Sequence, residues 1–214
     1  MPAGLLAPDD IARSLAGPLP GVDAQLRLAH RARRLAVPGG VVPREAGVLI
    51  LLYPGDGGAL TFPLIVRPAR DARDKHAGQI ALPGGSREPA DADLAATALR
   101  EAAEEVGADP ADVRLLGQLS PLYIPVSNFR VTATVGYAER APRWRPQPSE
   151  VERIVHAPLA ELLADDYLRH TDIALGSGVE LRRVPYLPLG GEVVWGATAM
   201  MLGELRAAVV GGGL

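Results

Sequence analysis

The sequence contains no cysteine. Disulfide bonds and thiolate metal sites are therefore excluded, while the redox compartment stays undetermined. No apolar run approaches the 18 residues typical of a transmembrane helix, and the N-terminus lacks the basic and apolar regions of a signal peptide. Lysine is almost absent, since Lys75 is the only lysine among 22 basic residues. The net charge of −3 favours neither nucleic acid nor a membrane surface as a partner. We therefore expect a cytoplasmic protein that binds neither of them.

The length of 214 residues fits one domain with additions, or at most two small domains. A hydrophobic content of 48% and a charged content of 22% are ordinary for a globular protein. Residues 1–40 contain two short helical patterns, at 9–15 and 23–35, and each opens with an aspartate suited to capping. We predict an N-terminal helical extension over 1–40, a main domain over 41–210 and a disordered tail over 211–214.

Strand patterns dominate the main domain. A continuous apolar run at 46–53 is joined by a glycine-rich turn to a second run at 60–66, which indicates a β-hairpin. Further strands are predicted at 79–82, 113–119, 130–138, 150–156 and 179–187. Helices are predicted from Asp91 or Asp93 to Val106, at 158–163, and, with an amphipathic pattern, at 198–210. The fold class is α+β, with a mixed sheet covered by helices.

The stretch from Arg100 to Gly107 breaks a local rule of helix stability. Glu101, Glu104 and Glu105 crowd the last turns of the predicted helix, and Gly107 has the position of the residue just past its end. Negative charge near a helix C-terminus costs about 0.3–1 kcal/mol per residue. Repeated violations in one place indicate a functional site. A bound divalent cation would reverse the sign of every one of these penalties.

A glycine turn, a capped helix and the glutamate cluster follow one another here. The order is Gly85-(x5)-Asp91-(x8)-Arg100-Glu101-(x2)-Glu104-Glu105-(x)-Gly107. This resembles the Nudix box, the loop–helix–loop signature G-x5-E-x7-R-E-U-x-E-E-x-G-U, where U is a bulky aliphatic residue. Asp91 replaces the first glutamate and one extra residue follows it, so we assign Asp91 only a helix cap. The resemblance implies a Nudix-type α/β/α sandwich whose central sheet is mixed.

The resemblance extends to residues 45–207. Residues 73–85, which end in Leu82-Pro83-Gly84-Gly85, look like the upstream motif of coenzyme A diphosphatases, with leucine where that subgroup usually has phenylalanine. Residues 149–152 and 194–199 also resemble that subgroup. The resemblance implies hydrolysis of coenzyme A to 3′,5′-ADP and 4′-phosphopantetheine. The alternatives are an ADP-ribose or dinucleotide diphosphatase, or a Nudix module that binds a nucleotide without cleaving it.

The resemblance also implies a site for Mg²⁺ or Mn²⁺. Glu101 and Glu105, one turn apart, are expected to be the principal ligands, and Glu104 is expected to serve a second ion or a bound water. Arg100 precedes Glu104 by four residues and is expected to orient the carboxylates. The general base is either Glu105 or Glu150, and the sequence leaves this choice open.

Basic residues precede the glycine turn. Arg67, Arg73, Lys75 and His76 are the candidates for contact with the substrate's phosphates, since arginine suits bidentate phosphate binding. Arg73 is the strongest of them, and a solvated basic loop is the alternative for each. The expected partner is a small nucleotide substrate, coenzyme A, and the oligomeric state, including a homodimer, is left open.

Overall fold

A large mixed sheet and a smaller antiparallel sheet form the centre of the computed structural model, which describes residues 6–30, 36–68, 78–175 and 178–211. The helices of these ranges are α1 Pro8–Ala16, α2 Gly21–Leu26, α3 Leu94–Val106, α4 Leu159–Leu163 and α5 Gly196–Gly211. The strands are β1 Arg44–Pro54, β2 Leu60–Val66, β3 Ile80–Ala81, β4 Gly84–Ser86, β5 Arg114–Gln118, β6 Leu122–Ile124, β7 Phe129–Tyr137, β8 Arg153–Pro158, β9 Arg169–Ala174, β10 Glu180–Leu189 and β11 Glu192–Trp195. Of the helices in these ranges, none combines the length and the apolar surface that a bilayer crossing requires.

Strand β1 is the central strand of the large sheet. It pairs in parallel with β7 and antiparallel with β2 and β4, and the main strand order is β3-β2-β1-β7-β5. β6 also pairs with β7, and β8 with β2. The second sheet has the order β11-β10-β9. The predicted hairpin between β1 and β2 is confirmed, and so is the mixed sheet of an α+β fold.

The two faces of β1 belong to two hydrophobic cores. Leu49 and Leu51 pack with Ala98 of α3 on one face. Ile50 and Leu52 belong to the larger core on the other face, which includes most of the buried side chains of α5. Because side chains alternate along a strand, one apolar run supplies both cores. The sheet is therefore enclosed between helices, and α3 lies on the smaller core.

Helices α1 and α2 are joined to the rest of the chain through α5, and α1 also through β5. The fully buried Glu204 of α5 accepts hydrogen bonds from Gln25 Nε2 at 2.7 Å, from the Gly21 N–H at 3.2 Å and from the Ser120 N–H at 3.1 Å. Ile11 of α1 also belongs to the larger core. Residues 6–30 thus share the core of the main domain, and the boundary at residue 40 stays a prediction.

Several elements differ from the sequence prediction. Helix α2 begins at Gly21 after Pro20, so Asp23 lies inside it and does not cap it. Helix α5 is buried on all sides from Thr198 to Leu205 and is not amphipathic, because α1, α2 and α4 cover it. Strands β4, β6, β9 and β11 are absent from the sequence prediction, and β4 lies where a glycine turn was predicted. These strands are short or exposed, and whether they form depends more on the strands they pair with than on their own side chains.

Candidate metal site and active site

Helix α3 is capped at both ends as its sequence predicts. The Asp93 carboxylate accepts a hydrogen bond from the Ala96 N–H at 2.8 Å. Gly107 adopts the left-handed conformation, with φ 76°, and its N–H donates to the carbonyls of the preceding turn. These caps place Glu101 and Glu105 one turn apart on the same face of the helix.

Gly84 and Gly85, the first two residues of β4, lie directly against both carboxylates. The Gly84 N–H donates to Glu105 Oε2 at 2.8 Å. A Cβ on Gly85 would lie 2.6 Å from the carboxylate carbon of Glu101, and a Cβ on Gly84, with φ 152°, would lie 2.4 Å from the Gly47 carbonyl oxygen. A side chain at Gly84 would meet backbone atoms of β1, and one at Gly85 would displace the Glu101 carboxylate. The two glycines therefore contribute packing space and one backbone hydrogen bond.

Glu150 joins the two helix residues from a distant part of the chain. The carboxylate oxygens of Glu101, Glu105 and Glu150 lie within 4.8 Å of one another. Three carboxylates at this separation repel one another unless a cation or a proton is shared among them. Carboxylate oxygens are the ligands that Mg²⁺ and Mn²⁺ prefer. The donor set therefore fits the divalent metal that the sequence implies, and these three residues would hold it.

Burial makes Glu105 the most perturbed member of this group. Its exposed fraction is only 2%, and burial raises the pKa of its carboxyl to about 7. The Gly84 N–H and the charge of Arg67 lower that pKa, whereas the charges of Glu101 and Glu150 raise it. Burial also raises the pKa of Glu101, and Arg100 opposes this shift. Without a metal, the Glu105 carboxyl therefore takes up its proton near neutral pH.

Arg100 connects three carboxylates. Its Nε and Nη2 donate to the two oxygens of Asp91, each at 3.0 Å. Its Nη1 donates to Glu101 at 3.0 Å and to Glu104 at 3.1 Å. The pairing with Glu104 is as predicted, and the contact with Glu101 gives Arg100 direct control over a candidate metal ligand. Arg100 therefore orients the carboxylates and is itself held by Asp91.

The prediction that Asp91 serves only as a helix cap is wrong, because Asp93 is the cap. Asp91 is 8% exposed and also accepts hydrogen bonds from the Glu88 N–H and the Thr97 hydroxyl, each at 2.9 Å. These donors, and the Arg100 guanidinium first among them, hold the pKa of Asp91 well below its usual range. Asp91 lies in a turn before the helix, so the turn absorbs the extra residue that separates it from Arg100.

Glu104 lies apart from the carboxylate group. Its side chain is 57% exposed and its hydrogen bond is made to Arg100. The group of three that could hold an ion includes Glu150 in its place. The role of Glu104 toward a second ion or a bound water stays a prediction.

Among the predicted substrate-binding residues, Arg67 lies within the described ranges. Its N–H donates to the Gln79 carbonyl at 3.1 Å, and its carbonyl accepts a hydrogen bond from the Gly78 N–H at 2.9 Å, so Arg67 is paired with Gly78 and Gln79. Its positive charge acts on Glu105. Arg73, Lys75 and His76 lie outside the described residues.

A large cavity lies elsewhere among the described residues. It has a volume of about 790 Å³, lies at the C-terminal end of α3, and has Arg140, Arg143 and Arg145 in its lining. None of the three clustered carboxylates lines it. We assign the site by its ligand chemistry, because a divalent cation needs the carboxylate oxygens and volume alone does not supply them.

The similarities to known proteins decide the family. A family model described as the NUDIX domain matches residues 43–174. The chain belongs to the Nudix family. It is 36% identical over 166 residues to the uncharacterized Nudix hydrolase NudL of Pectobacterium atrosepticum, a match that covers 78% of this chain and 83% of that protein. Nudix hydrolases act on nucleoside diphosphate derivatives and generally use divalent metals.

Other relatives agree with this assignment. Nudix hydrolase 22, chloroplastic, of Arabidopsis thaliana is 36% identical over 172 residues, and the match covers 78% of this chain and 55% of that protein. The Nudix chain described here thus spans little more than half of that relative. The crystal structure of a MutT/nudix family protein from Enterococcus faecalis matches with a TM-score of 0.53 at 16% identity, covering 99% of this chain and 76% of that one. This likeness confirms the Nudix fold.

We expect Asp91→Asn to destabilise the protein about twice as much as Asp93→Ala, or more. Loss of the Asp93 cap costs about 1 kcal/mol. The Asp91→Asn change would keep the shape of the side chain but remove the charge that two guanidinium hydrogen bonds use, and charge-assisted hydrogen bonds are about twice as strong as neutral ones. Thermal unfolding of both variants checks this. A larger fall in Tm for Asp93→Ala would contradict the role given to Asp91.

Proposed function

We propose that this Nudix hydrolase cleaves the diphosphate of coenzyme A, giving 3′,5′-ADP and 4′-phosphopantetheine. The observation that carries the proposal is the contact between Gly84 and Gly85 and the carboxylates of Glu101 and Glu105. The two glycines end the segment which resembles the coenzyme A diphosphatase motif. The segment that distinguishes the subgroup therefore leads directly into the candidate metal site.

The carboxylates of Glu101, Glu105 and Glu150 would hold the divalent metal. When bound, such an ion neutralises charge on the diphosphate and lowers the pKa of a coordinated water. Arg100 keeps Glu101 turned toward the group through its 3.0 Å hydrogen bond. The Gly84 N–H does the same for one oxygen of Glu105. The chain thus presents oriented carboxylates before any substrate arrives.

Glu150 is the better candidate for the general base. Its side chain is exposed and makes no hydrogen bond or salt bridge with the described residues. Glu105 is 2% exposed and already bonded to Gly84. The attacking water forms a bond from its oxygen to phosphorus, the bond from phosphorus to the bridging oxygen breaks, and the water proton passes to Glu150. Exposure supports this role because the acceptor must then release that proton to solvent.

The basic residues that follow Arg67 in the sequence are proposed to select the substrate. Arg67 itself is paired with Gly78 and Gln79, and its positive charge lowers the pKa of Glu105. We propose that Arg73, with Lys75 and His76, contacts the 3′-phosphate that distinguishes coenzyme A from its 3′-dephospho form. Guanidinium groups bind phosphate through paired, charge-assisted hydrogen bonds.

A substrate panel tests this proposal. In Mg²⁺ or Mn²⁺, kcat/KM for coenzyme A is expected to exceed that for 3′-dephospho-coenzyme A and for ADP-ribose by about ten- to a hundredfold, since one charge-assisted contact is worth about 1.5–3 kcal/mol. Arg73→Ala is expected to remove the preference over the 3′-dephospho form. Arg140→Ala, an exposed arginine of the large cavity, is the matched control and is expected to keep it. A tenfold preference for ADP-ribose would replace coenzyme A with the alternative substrate class.

A further inference from the structure

Residues 143–151, here called the 143–151 segment, cross the C-terminal end of α3. The Arg145 N–H donates to the Val106 carbonyl at 2.9 Å, and the Gln147 N–H donates to the Glu105 carbonyl at 2.8 Å. The last carbonyls of a helix have no partner inside the helix. The segment therefore satisfies two of these groups from outside, and one of them belongs to a candidate metal ligand.

The docking of this segment depends on the absence of a side chain at Gly107. A Cβ there would lie 3.0 Å from Arg145 Cβ, 3.2 Å from Arg145 N and 3.4 Å from the Arg143 carbonyl oxygen. These neighbours are backbone atoms and a Cβ, so they cannot rotate away as the end of a long side chain would. A side chain at this position would require the segment to move away from the helix end by a few tenths of an ångström, which would lengthen the hydrogen bond from Arg145 to Val106.

Gln147 connects the end of α3 to Glu150 through backbone hydrogen bonds. Its carbonyl accepts hydrogen bonds from the Glu150 N–H at 2.9 Å and from the Val151 N–H at 2.8 Å. Val151 is 2% exposed in the smaller core, and the next residue, Glu152, donates its N–H to the Val66 carbonyl of β2 at 2.9 Å. Glu150 is therefore held between the C-terminal end of α3 and the C-terminal end of β2.

We propose that Gly107 is a positioning residue, which brings Glu150 into the metal-binding group by admitting the 143–151 segment to the end of α3. The inference rests on the proposed function in one respect, that Glu101, Glu105 and Glu150 hold a divalent cation. The proposed role of Gly107 differs from helix termination, because ending a helix at this residue requires only a positive φ. Gly57 offers the comparison, since it has φ 67° and no atom within 4 Å of the place of its Cβ.

Mn²⁺ binding to the full chain without substrate tests the proposal, measured by isothermal titration calorimetry. Glu150→Gln is expected to weaken Mn²⁺ binding about tenfold or more, because it removes the charge of one of three ligands. Gly107→Ala is expected to weaken it by a similar factor, and the double variant is expected to bind no worse than Glu150→Gln alone. Gly57→Ala carries the same backbone strain and is expected to bind as the wild type does.

The double variant distinguishes the positioning of Glu150 from a general disturbance of helix α3. If Gly107→Ala merely disturbed the helix, it would also displace Glu101 and Glu105, and its effect would add to that of Glu150→Gln. Additive losses, or an unchanged Mn²⁺ affinity in Gly107→Ala, would overturn the role of Gly107 while leaving the metal site intact. A wild-type chain that did not bind Mn²⁺ would instead overturn the proposed function.

Amide hydrogen exchange supplies a second measurement that needs no metal. In Gly107→Ala, the N–H groups of Arg145 and Gln147 are expected to exchange faster than in the wild type and in Gly57→Ala. If Gly107→Ala does not fold, Gln147→Pro removes the hydrogen bond to the Glu105 carbonyl and leaves Gly107 unchanged. It is expected to show the same loss of Mn²⁺ affinity, and wild-type affinity in this variant would contradict the proposal.

Discussion

Glu105→Gln is expected to lower kcat/KM for coenzyme A, at saturating Mg²⁺, by about 10²–10³-fold. Glutamine keeps the size of the side chain and an oxygen that can accept the hydrogen bond from the Gly84 N–H, now 2.8 Å long. It removes the negative charge that the ion requires. Steady-state kinetics with coenzyme A, together with Mn²⁺ titration of the same variant, measure the two consequences separately.

Two further glutamate variants provide the comparisons for this result. Glu104→Gln is expected to lose less activity, because its side chain is 57% exposed and bonded to Arg100. Glu139→Gln changes an exposed carboxylate in the lining of the large cavity, outside the group of three, and serves as the matched control. If Glu105→Gln bound metal normally and cleaved substrate at the wild-type rate, Glu105 would be neither a ligand nor a base.

Without metal, the protein is expected to lose about 3 kcal/mol of folding free energy as the pH rises from 4.5 to 7. Burial raises the pKa of Glu105 from 4.5 to about 7, so in this interval the folded chain binds the proton more tightly than the unfolded chain. Stability then falls as pH rises, and each unit between the two pKa values is worth about 1.4 kcal/mol. Denaturant unfolding in EDTA across this range measures the slope.

Two controls isolate the Glu105 carboxyl in that experiment. Glu105→Gln cannot titrate, so its stability is expected to change less with pH over the same interval. Adding Mn²⁺ to the wild type at pH 7.5 is expected to restore the lost stability, by about 2.7 kcal/mol at a hundred times the dissociation constant. Equal pH dependence in the wild type and in Glu105→Gln would show that the buried carboxyl is not the group responsible.

Helix α3 could be predicted closely from the sequence. Gly107 predicts where it ends, and Asp91 or Asp93 predicts where it begins, and these are local signals. The hairpin of β1 and β2 was predictable for the same reason, since a glycine-rich turn separates two apolar runs. Strands β6 and β9 were not, because a short or exposed strand is defined by the strand beside it.

The pairing of Asp91 with Arg100 could not be predicted from the motif. Asp91 lies one residue further from Arg100 than the first glutamate of the Nudix box does, so the sequence alone indicates only a helix cap. In the fold, the turn before α3 brings its two oxygens within 3.0 Å of the guanidinium nitrogens. A turn absorbs an extra residue that a helix would not, and sequence spacing does not show which of the two is present.

The sequence by itself determined that Glu101 and Glu105 lie on one face of a helix, because helical periodicity is a local property. Only the tertiary structure decided the third member of the group. Glu104 is adjacent in sequence but turns toward Arg100, whereas Glu150 arrives from a distant segment and completes the group of three. The physical reason is the docking of that segment on the helix end, through the Arg145 and Gln147 N–H groups that satisfy the last carbonyls of α3.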